Sequence, residues 1–111
     1  MANNYKRLGA TTVTANTDTN LYTVPASHEA IVKSVTVCNI GSTARTFRIA
    51  CVDGAIGAVA NEDYQFYDTT IGANDSLIIQ PNWTLIATHS ILVRAAHAEV
   101  VFSCFGDELD V

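Results

Sequence analysis

The stretch that most constrains how this chain can fold is residues 21–40, where a short strand, a turn and a long strand follow one another. The segment Leu21-Tyr22-Thr23-Val24 is rich in aromatic and β-branched side chains, which is typical of a half-buried strand. Pro25 ends this strand because proline has no N–H to donate to a neighbouring strand. A polar turn at residues 27–29 then leads into a long strand at residues 30–40.

Apolar side chains lie on both faces of the long strand. With a side-chain period of two, the two faces are Ile31, Lys33, Val35, Val37 and Asn39, and Val32, Ser34, Thr36, Cys38 and Ile40. Neither face is polar throughout. This pattern predicts that one face fills a core and that the other is lightly solvated or covered.

The rest of the chain reads as further short strands separated by turn residues. We predict these strands at residues 45–52, 62–71, 76–80, 83–87, 91–95 and 100–105, with a weak first strand or an arm at residues 5–13. The short glycine-containing turn at residues 41–43 predicts that the long strand forms a hairpin with residues 45–52. Residues 61–64 could form a single helical turn, because Asn caps helices and acidic residues favour their start.

No apolar pattern of period 3.6 persists for three turns, so we expect short helices or none. Short strands at regular spacing predict an all-β fold: a single-domain antiparallel β-sandwich, jelly-roll-like. Residues 1–14 would form an amino-terminal arm or first edge strand, residues 15–107 the sandwich, and residues 108–111 an acidic tail.

The composition predicts that much of the surface is uncharged. Charged residues make up 15% of the chain, against about 25% in an ordinary soluble domain. An uncharged soluble monomer is one interpretation; coverage by copies of itself or by a larger partner is the one we favour. The net charge of −5 and the scattered cations argue against nucleic acid as a partner. No apolar run approaches the roughly 20 residues that span a membrane, and the first residues do not resemble a secretory signal.

The residues that could carry chemistry form no recognisable motif. Cys38, Cys51 and Cys104 lie in apolar strand-like runs, where reduced cysteine behaves as a small hydrophobe, and their spacing does not fit a zinc site. The three histidines fall in predicted turns or at strand ends, where the usual interpretation is a solvated loop side chain. We therefore expect no catalytic residue, no cofactor and no metal site, and we do not expect an enzyme.

Four aromatic residues are the more informative group: Tyr64, Phe66, Tyr67 and Trp83. They could pack in the core, or they could be exposed and serve as interface anchors or stack on sugars. If they are exposed, we expect a contact between subunits rather than sugar binding, because few Asp, Asn and Arg residues are expected near them.

Six segments, residues 4–9, 19–26, 35–39, 46–50, 73–75 and 102–106, carry a resemblance that runs in register through most of the chain. In these segments the chain resembles a family of small bacteriophage virion proteins, common in phages of cyanobacteria and other marine bacteria. The resemblance implies a β-sandwich on the particle, either as a capsid cement or decoration protein or as part of the tail and its fibres.

Together these observations predict a structural virion protein, assembled in the bacterial host cytoplasm. We expect a cement or decoration subunit that binds the lattice of the major capsid protein and stabilises the head, and that forms a homo-oligomer. The alternative is a tail- or fibre-associated module for receptor or glycan binding. We expect an amino-terminal arm to reach across a seam between subunits, so its removal would leave a folded domain that no longer binds. The candidate interface residues are Tyr5, Lys6, Arg7 and Leu8, followed by Tyr64, Phe66, Tyr67 and Trp83.

Overall fold

The computed structural model describes the backbone of residues 3–110 and the side chains of residues 5–110. This part of the chain contains nine strands and two single-turn 3-10 helices, at Ile56–Ala58 and Asn61–Asp63. The strands are β1 (Asn3–Thr11), β2 (Thr19–Thr23), β3 (His28–Asn39), β4 (Arg45–Val52), β5 (Tyr64–Ile71), β6 (Ser76–Ile79), β7 (Trp83–Leu85), β8 (Ser90–Ala95) and β9 (Val100–Asp110). Of the two alternatives for residues 61–64, the structure has the helical turn, and the strand predicted from residue 62 begins at Tyr64.

The strands form two antiparallel sheets packed face to face, which confirms the predicted β-sandwich. Sheet I has the order β1-β9-β3-β6, and β7 pairs with the other half of the long strand β3. Sheet II has the order β2-β8-β4-β5. The first four strands pair in reverse order with the later ones: β4 with β5, β3 with β6 and β7, β2 with β8, and β1 with β9. This pairing is that of one long hairpin, with β4 and β5 at its closed end, folded over into two sheets. That arrangement is the jelly-roll topology.

The predicted hairpin between the long strand and residues 45–52 is wrong. Strand β3 lies in sheet I and β4 in sheet II, so the turn after Asn39 carries the chain from one sheet to the other. Asn39 is completely buried at this corner. Its side-chain Nδ2 donates to the carbonyl oxygens of Thr43 and Ile71, and its Oδ1 accepts from the N–H of Gly41. These hydrogen bonds satisfy the backbone groups that a crossing between sheets would otherwise leave unpaired.

The core lies between the two sheets and is built from the inward-facing residues that alternate along the strands of both sheets. Phe47 of β4 contacts Phe66 of β5 at 5.8 Å and Phe102 of β9 at 6.2 Å between ring centroids, so it joins the two sheets. Each fully buried side chain of this size contributes about 1.5–3 kcal/mol of burial free energy. A second, smaller cluster lies on the outside of sheet II, where the loop after β4 covers Ala50, Val52 and Leu92.

Strand β3 does not keep the single alternation that the sequence suggests. Lys33 is an extra residue between the pairs Val32–Gly106 and Ser34–Phe105, and this bulge shifts the register of β3 against β9. Because one extra residue exchanges the faces of a strand, Val32 and Val35 both point into the core and are fully buried. Strand β3 therefore has a regular alternation of inward and outward residues on each side of Lys33, but the two alternations are out of step by one residue. This is why both faces look mixed when the sequence is read as one regular strand.

Gly106 of β9 permits this bulge. A side chain at this position would collide with the backbone carbonyl oxygen of Ile31 and would crowd the backbone nitrogen of Lys33. Glycine is therefore required because the two backbones approach more closely than any Cβ allows.

The two ends of the chain are part of sheet I. Of the two alternatives for the amino terminus, the structure has the edge strand, because β1 pairs with β9 from Asn3 to Thr11. The prediction of an acidic tail after the sandwich domain is wrong for residues 108–110. Glu108, Leu109 and Asp110 are the last residues of β9 and pair with β3. The end residues 1, 2 and 111 lie outside the described residues.

We expect Gly106→Ala to lower the free energy of unfolding by about 2 kcal/mol or more, because the new methyl group must displace the backbone of β3. The matched control is Gly57→Ala, where a Cβ would meet nothing within 4 Å. Urea denaturation of both variants gives the comparison. Equal stability of the two variants would contradict the close approach at Gly106.

Candidate functional site

The four amino-terminal candidates are divided between the two faces of β1. Tyr5 and Arg7 point away from the core, and Tyr5 is 64% exposed. Lys6 pairs with Gly106 and lies on the opposite face of β1, where its side chain is still 44% exposed. Leu8 is the extra residue of a bulge and packs against the core. Deleting residues up to Leu8 would therefore remove most of an edge strand, so the predicted arm that can be cut away without loss of the fold does not correspond to this structure.

A polar cluster lies between the sheets at one end of the sandwich. The hydroxyl of Tyr22 donates to Glu108 Oε2 at 2.6 Å, and Lys6 Nζ lies 3.0 Å from Glu108 Oε1. The hydrogen bond from Tyr22, followed by the contact with Lys6, lowers the pKa of Glu108 below its ordinary value. Burial, with a contribution from Glu108, raises the pKa of Tyr22. This arrangement links β2 of sheet II to β1 and β9 of sheet I, and we interpret it as structural.

The four aromatic candidates are also divided. Phe66 and Trp83 are half-buried and pack against the core, and together with Pro81 they border a shallow depression of about 330 Å³. Tyr64 and Tyr67 lie on the outer face of sheet II, where their rings meet edge to face with centroids 5.0 Å apart. Tyr67 is 58% exposed. Only the two tyrosines are thus presented on an outer face.

Tyr67 lies next to an arginine and an aspartate. The guanidinium of Arg48 lies 4.0 Å from the centroid of the Tyr67 ring, and it donates from Nε and Nη2 to the carboxylate of Asp68 at 2.7 and 3.1 Å. This guanidinium lowers the pKa of Asp68 below its ordinary value. Our expectation that Asp, Asn and Arg are scarce near the aromatics is wrong for Tyr67.

A bulge in β5 produces this contact. Phe47 pairs with Thr69 and Ile49 with Phe66, so that Arg48 alone faces both Tyr67 and Asp68. Asp68 adopts a positive φ of 50°, a conformation that aspartate tolerates better than most residues. In a regular strand consecutive side chains point to opposite faces, whereas here both lie against one guanidinium.

A second arginine and aspartate complete this surface. Arg94 of β8 is the direct cross-strand partner of Arg48, and its Nη1 donates to Asp18 Oδ1 at 3.2 Å. Two like charges in directly opposed positions repel each other, and the two carboxylates offset this repulsion. Both arginines border a cleft of about 20 Å³ with Asn16 and Asp68, which is large enough for one water molecule or one hydroxyl group. We call Asn16, Asp18, Arg48, Tyr67, Asp68 and Arg94 the Tyr67 cluster.

The outer face of sheet I has a different character. Directly paired residues of β1, β9, β3 and β6 share this face and carry no charge over two successive rows, and the next row carries a charge only at its β1 end, where Arg7 pairs with Phe105. We call this surface the neutral face; it consists of Ala10, Ser34, Thr36, Cys38, Ser76, Ile78, Val101, Ser103 and Phe105. Ile78 is 66% exposed, and a shallow depression of about 400 Å³ lies between Ala10, Thr36 and Val101. Sequence reasoning missed this surface because it depends on register across four strands.

The cysteines and histidines are dispersed. Burial raises the pKa of Cys51 and of Cys104 to about 12, which keeps both thiols protonated near neutral pH. Each histidine lies beside a carboxylate: His28 at 2.8 Å from Asp110, His89 at 3.4 Å from Asp53 and His97 at 3.1 Å from Glu99. Within residues 3–110, no three His, Cys, Asp or Glu residues are grouped as metal ligands, and no helix is long and apolar enough to cross a membrane.

Comparison with known proteins does not assign the chain to a family. No protein-family model matches the chain, and a search of curated proteins gives no significant match.

The Glu108 contacts predict a pH dependence of stability. Because the folded pKa of Glu108 lies below the ordinary value of 4.5, its contribution is complete above that pH and is lost as the pH falls through the folded pKa. We expect Glu108→Gln to be less stable than the wild type by about 1 kcal/mol at pH 7, and this difference to shrink in acid. Urea unfolding between pH 7 and pH 2.5 measures it. Glu62→Gln, at an exposed site, is the control, and a loss that stayed constant with pH would contradict the role of Glu108.

Proposed function

We propose that this protein is a structural, non-enzymatic subunit of a phage particle, and that it acts as a capsid cement or decoration protein. In this proposal the neutral face of sheet I binds the lattice of the major capsid protein and stabilises the head. The observation that carries the proposal is the absence of charge over two successive rows of paired residues at the centre of the neutral face, in a chain with few charges overall. Depletion of charge at the centre is the compositional feature of protein interfaces.

The outer face of sheet I is large enough for a stable contact. Strands β3 and β9 have 12 and 11 residues. Strands β1, β6 and β7 add 9, 4 and 3 residues, so at about 3.3 Å per residue and about 4.8 Å between strands the sheet covers roughly 600 Å². A standard interface takes about 800 Å² from each partner. One face of this sheet therefore supplies most of one partner's share of the contact.

The charges of this face lie at one end, beyond the bulge of β3. Lys33 Nζ lies 3.4 Å from Asp107 Oδ2 and 5.7 Å from the centroid of the Tyr5 ring, and Arg7 is exposed beside them. A neutral centre with a charged margin is the arrangement of interfaces in which the centre gives affinity and the margin orients the partner. Tyr5 and Arg7 thus remain candidate interface residues, at the margin.

The phage context rests on two supporting points. The chain resembles small phage virion proteins in six segments, and the jelly-roll topology is one that viral capsid proteins use. A decoration subunit would act by joining neighbouring capsid subunits, and a small free energy per contact would be multiplied by the number of copies on the shell. The same face could also join copies of this protein into a homo-oligomer.

We expect Thr36→Glu, which places a charge at the centre of the neutral face, to weaken binding to capsids about tenfold or more, because the new carboxylate would be buried without a partner. The control is Thr70→Glu, the same substitution on the exposed outer face of sheet II. Co-sedimentation of each purified variant with particles that lack the protein measures the affinity. Analytical ultracentrifugation of the same variants reports any homo-oligomer.

Equal binding of the two variants would show that the neutral face is not the docking surface. Immunogold labelling of intact particles separates the head from the tail. Label on tails alone would favour the alternative, a tail- or fibre-associated module, over a cement protein.

A further inference from the structure

The Tyr67 cluster is arranged more firmly than an ordinary group of surface side chains. Arg48 is held by two hydrogen bonds to Asp68 and by the ring of Tyr67, and Tyr67 is held in turn by Tyr64. The bulge and the positive φ of Asp68 fix the backbone that presents them. Bulges commonly re-aim side chains next to functional sites. The cluster is therefore organised before any ligand arrives.

The cluster has hydrogen-bonding capacity that its internal contacts do not use. Within residues 3–110, Arg48 uses Nε and Nη2 for Asp68, and Arg94 uses Nη1 for Asp18. Nη1 of Arg48 and both Nε and Nη2 of Arg94 remain as donors. The carboxylates of Asp18 and Asp68 have lone pairs to spare as acceptors. The two arginines and Asp68 thus present both donors and acceptors around one cleft of about 20 Å³, and Asp18 lies beside it in contact with Arg94.

We propose that the Tyr67 cluster binds a neutral pyranose sugar. The sugar ring packs its C–H face on the exposed part of Tyr67, and one hydroxyl group enters the cleft between Arg48 and Arg94. Neighbouring hydroxyls, each both donor and acceptor, pair with the spare N–H groups and with the carboxylates of Asp18 and Asp68.

Charge balance favours a neutral sugar over an acidic one. The two guanidiniums are matched by two carboxylates, so the cluster has no net charge with which to attract an anion. A carboxylate on the ligand would also approach Asp18 or Asp68 and be repelled. A hydroxyl meets no such repulsion.

The location of the site allows it to work alongside docking. The Tyr67 cluster lies on the outer face of sheet II, and the neutral face lies on the outer face of sheet I. A subunit that binds a particle through sheet I would therefore direct the cluster outwards. Sugar binding does not require such docking, so the two proposals can fail separately.

The test uses the full chain, biotinylated and assembled on fluorescent streptavidin so that weak single sites act together. The probe is an array of immobilised neutral oligosaccharides of glucose, galactose and mannose, with acidic sialyl and uronic-acid oligosaccharides beside them. We expect binding to at least one neutral series, and a loss of about tenfold or more in Tyr67→Ala. Ile86→Ala, which removes a large apolar side chain that is 51% exposed and lies outside both the cluster and the neutral face, should bind like the wild type.

Arg94→Gln provides a second variant on the far side of the cleft, and thermal unfolding shows whether each variant is folded. If Tyr67→Ala does not fold, a loss of binding in folded Arg94→Gln supports the site and retained binding overturns it. The proposal is also overturned if the wild type binds no neutral sugar, if it binds acidic sugars alone, or if folded Tyr67→Ala binds as well as the wild type.

Discussion

The close contact between β3 and β9 at Gly106 is the constraint on which the rest of the structure depends. Phe105 pairs with Arg7 on one side and with Ser34 on the other, and each neighbouring strand carries an extra residue at this level. The two bulges, at Leu8 and Lys33, thus form a line across sheet I. Because an extra residue exchanges the faces of a strand, side chains that would otherwise point into the core point outwards beyond this line.

This line also divides the outer face of sheet I. On one side lie Lys33, Asp107 and Tyr5, in contact with one another. On the other side the rows that contain Ser103 and Val101 carry no charge. Had β3 kept a single phase, Ile31 and Val35 would share a face; instead Ile31 is outside and Val35 is fully buried. The same local irregularity therefore determines both what the core contains and which surface is free for a partner.

The sequence predicted those features that depend on local periodicity. The alternation of Phe47 and Ile49 against Arg48 correctly separated the inner and outer faces of β4, and turn residues correctly divided the chain into short strands. It could not predict the phase change at Lys33, since a bulge is set by the partner strand, which here carries Gly106. The contact of Arg48 with Asp68 was missed for the same reason, because it joins residues on two strands and depends on a bulge in the second.

The positions of the charged residues support a covered surface more strongly than their small number does. Five of the six cationic side chains lie within 3.6 Å of a carboxylate: Lys6, Lys33, Arg45, Arg48 and Arg94. A protein whose few charges served only to keep it in solution would be expected to distribute them over both outer faces, since interspersed charges keep a surface soluble. The five pairs lie between the sheets at Lys6, at the margin of sheet I at Lys33, at the turn between β8 and β9 where Arg45 meets Glu99, and around Tyr67. The two rows of the neutral face that contain Ser103 and Val101 carry no charge, which is the distribution expected of a surface that another protein covers.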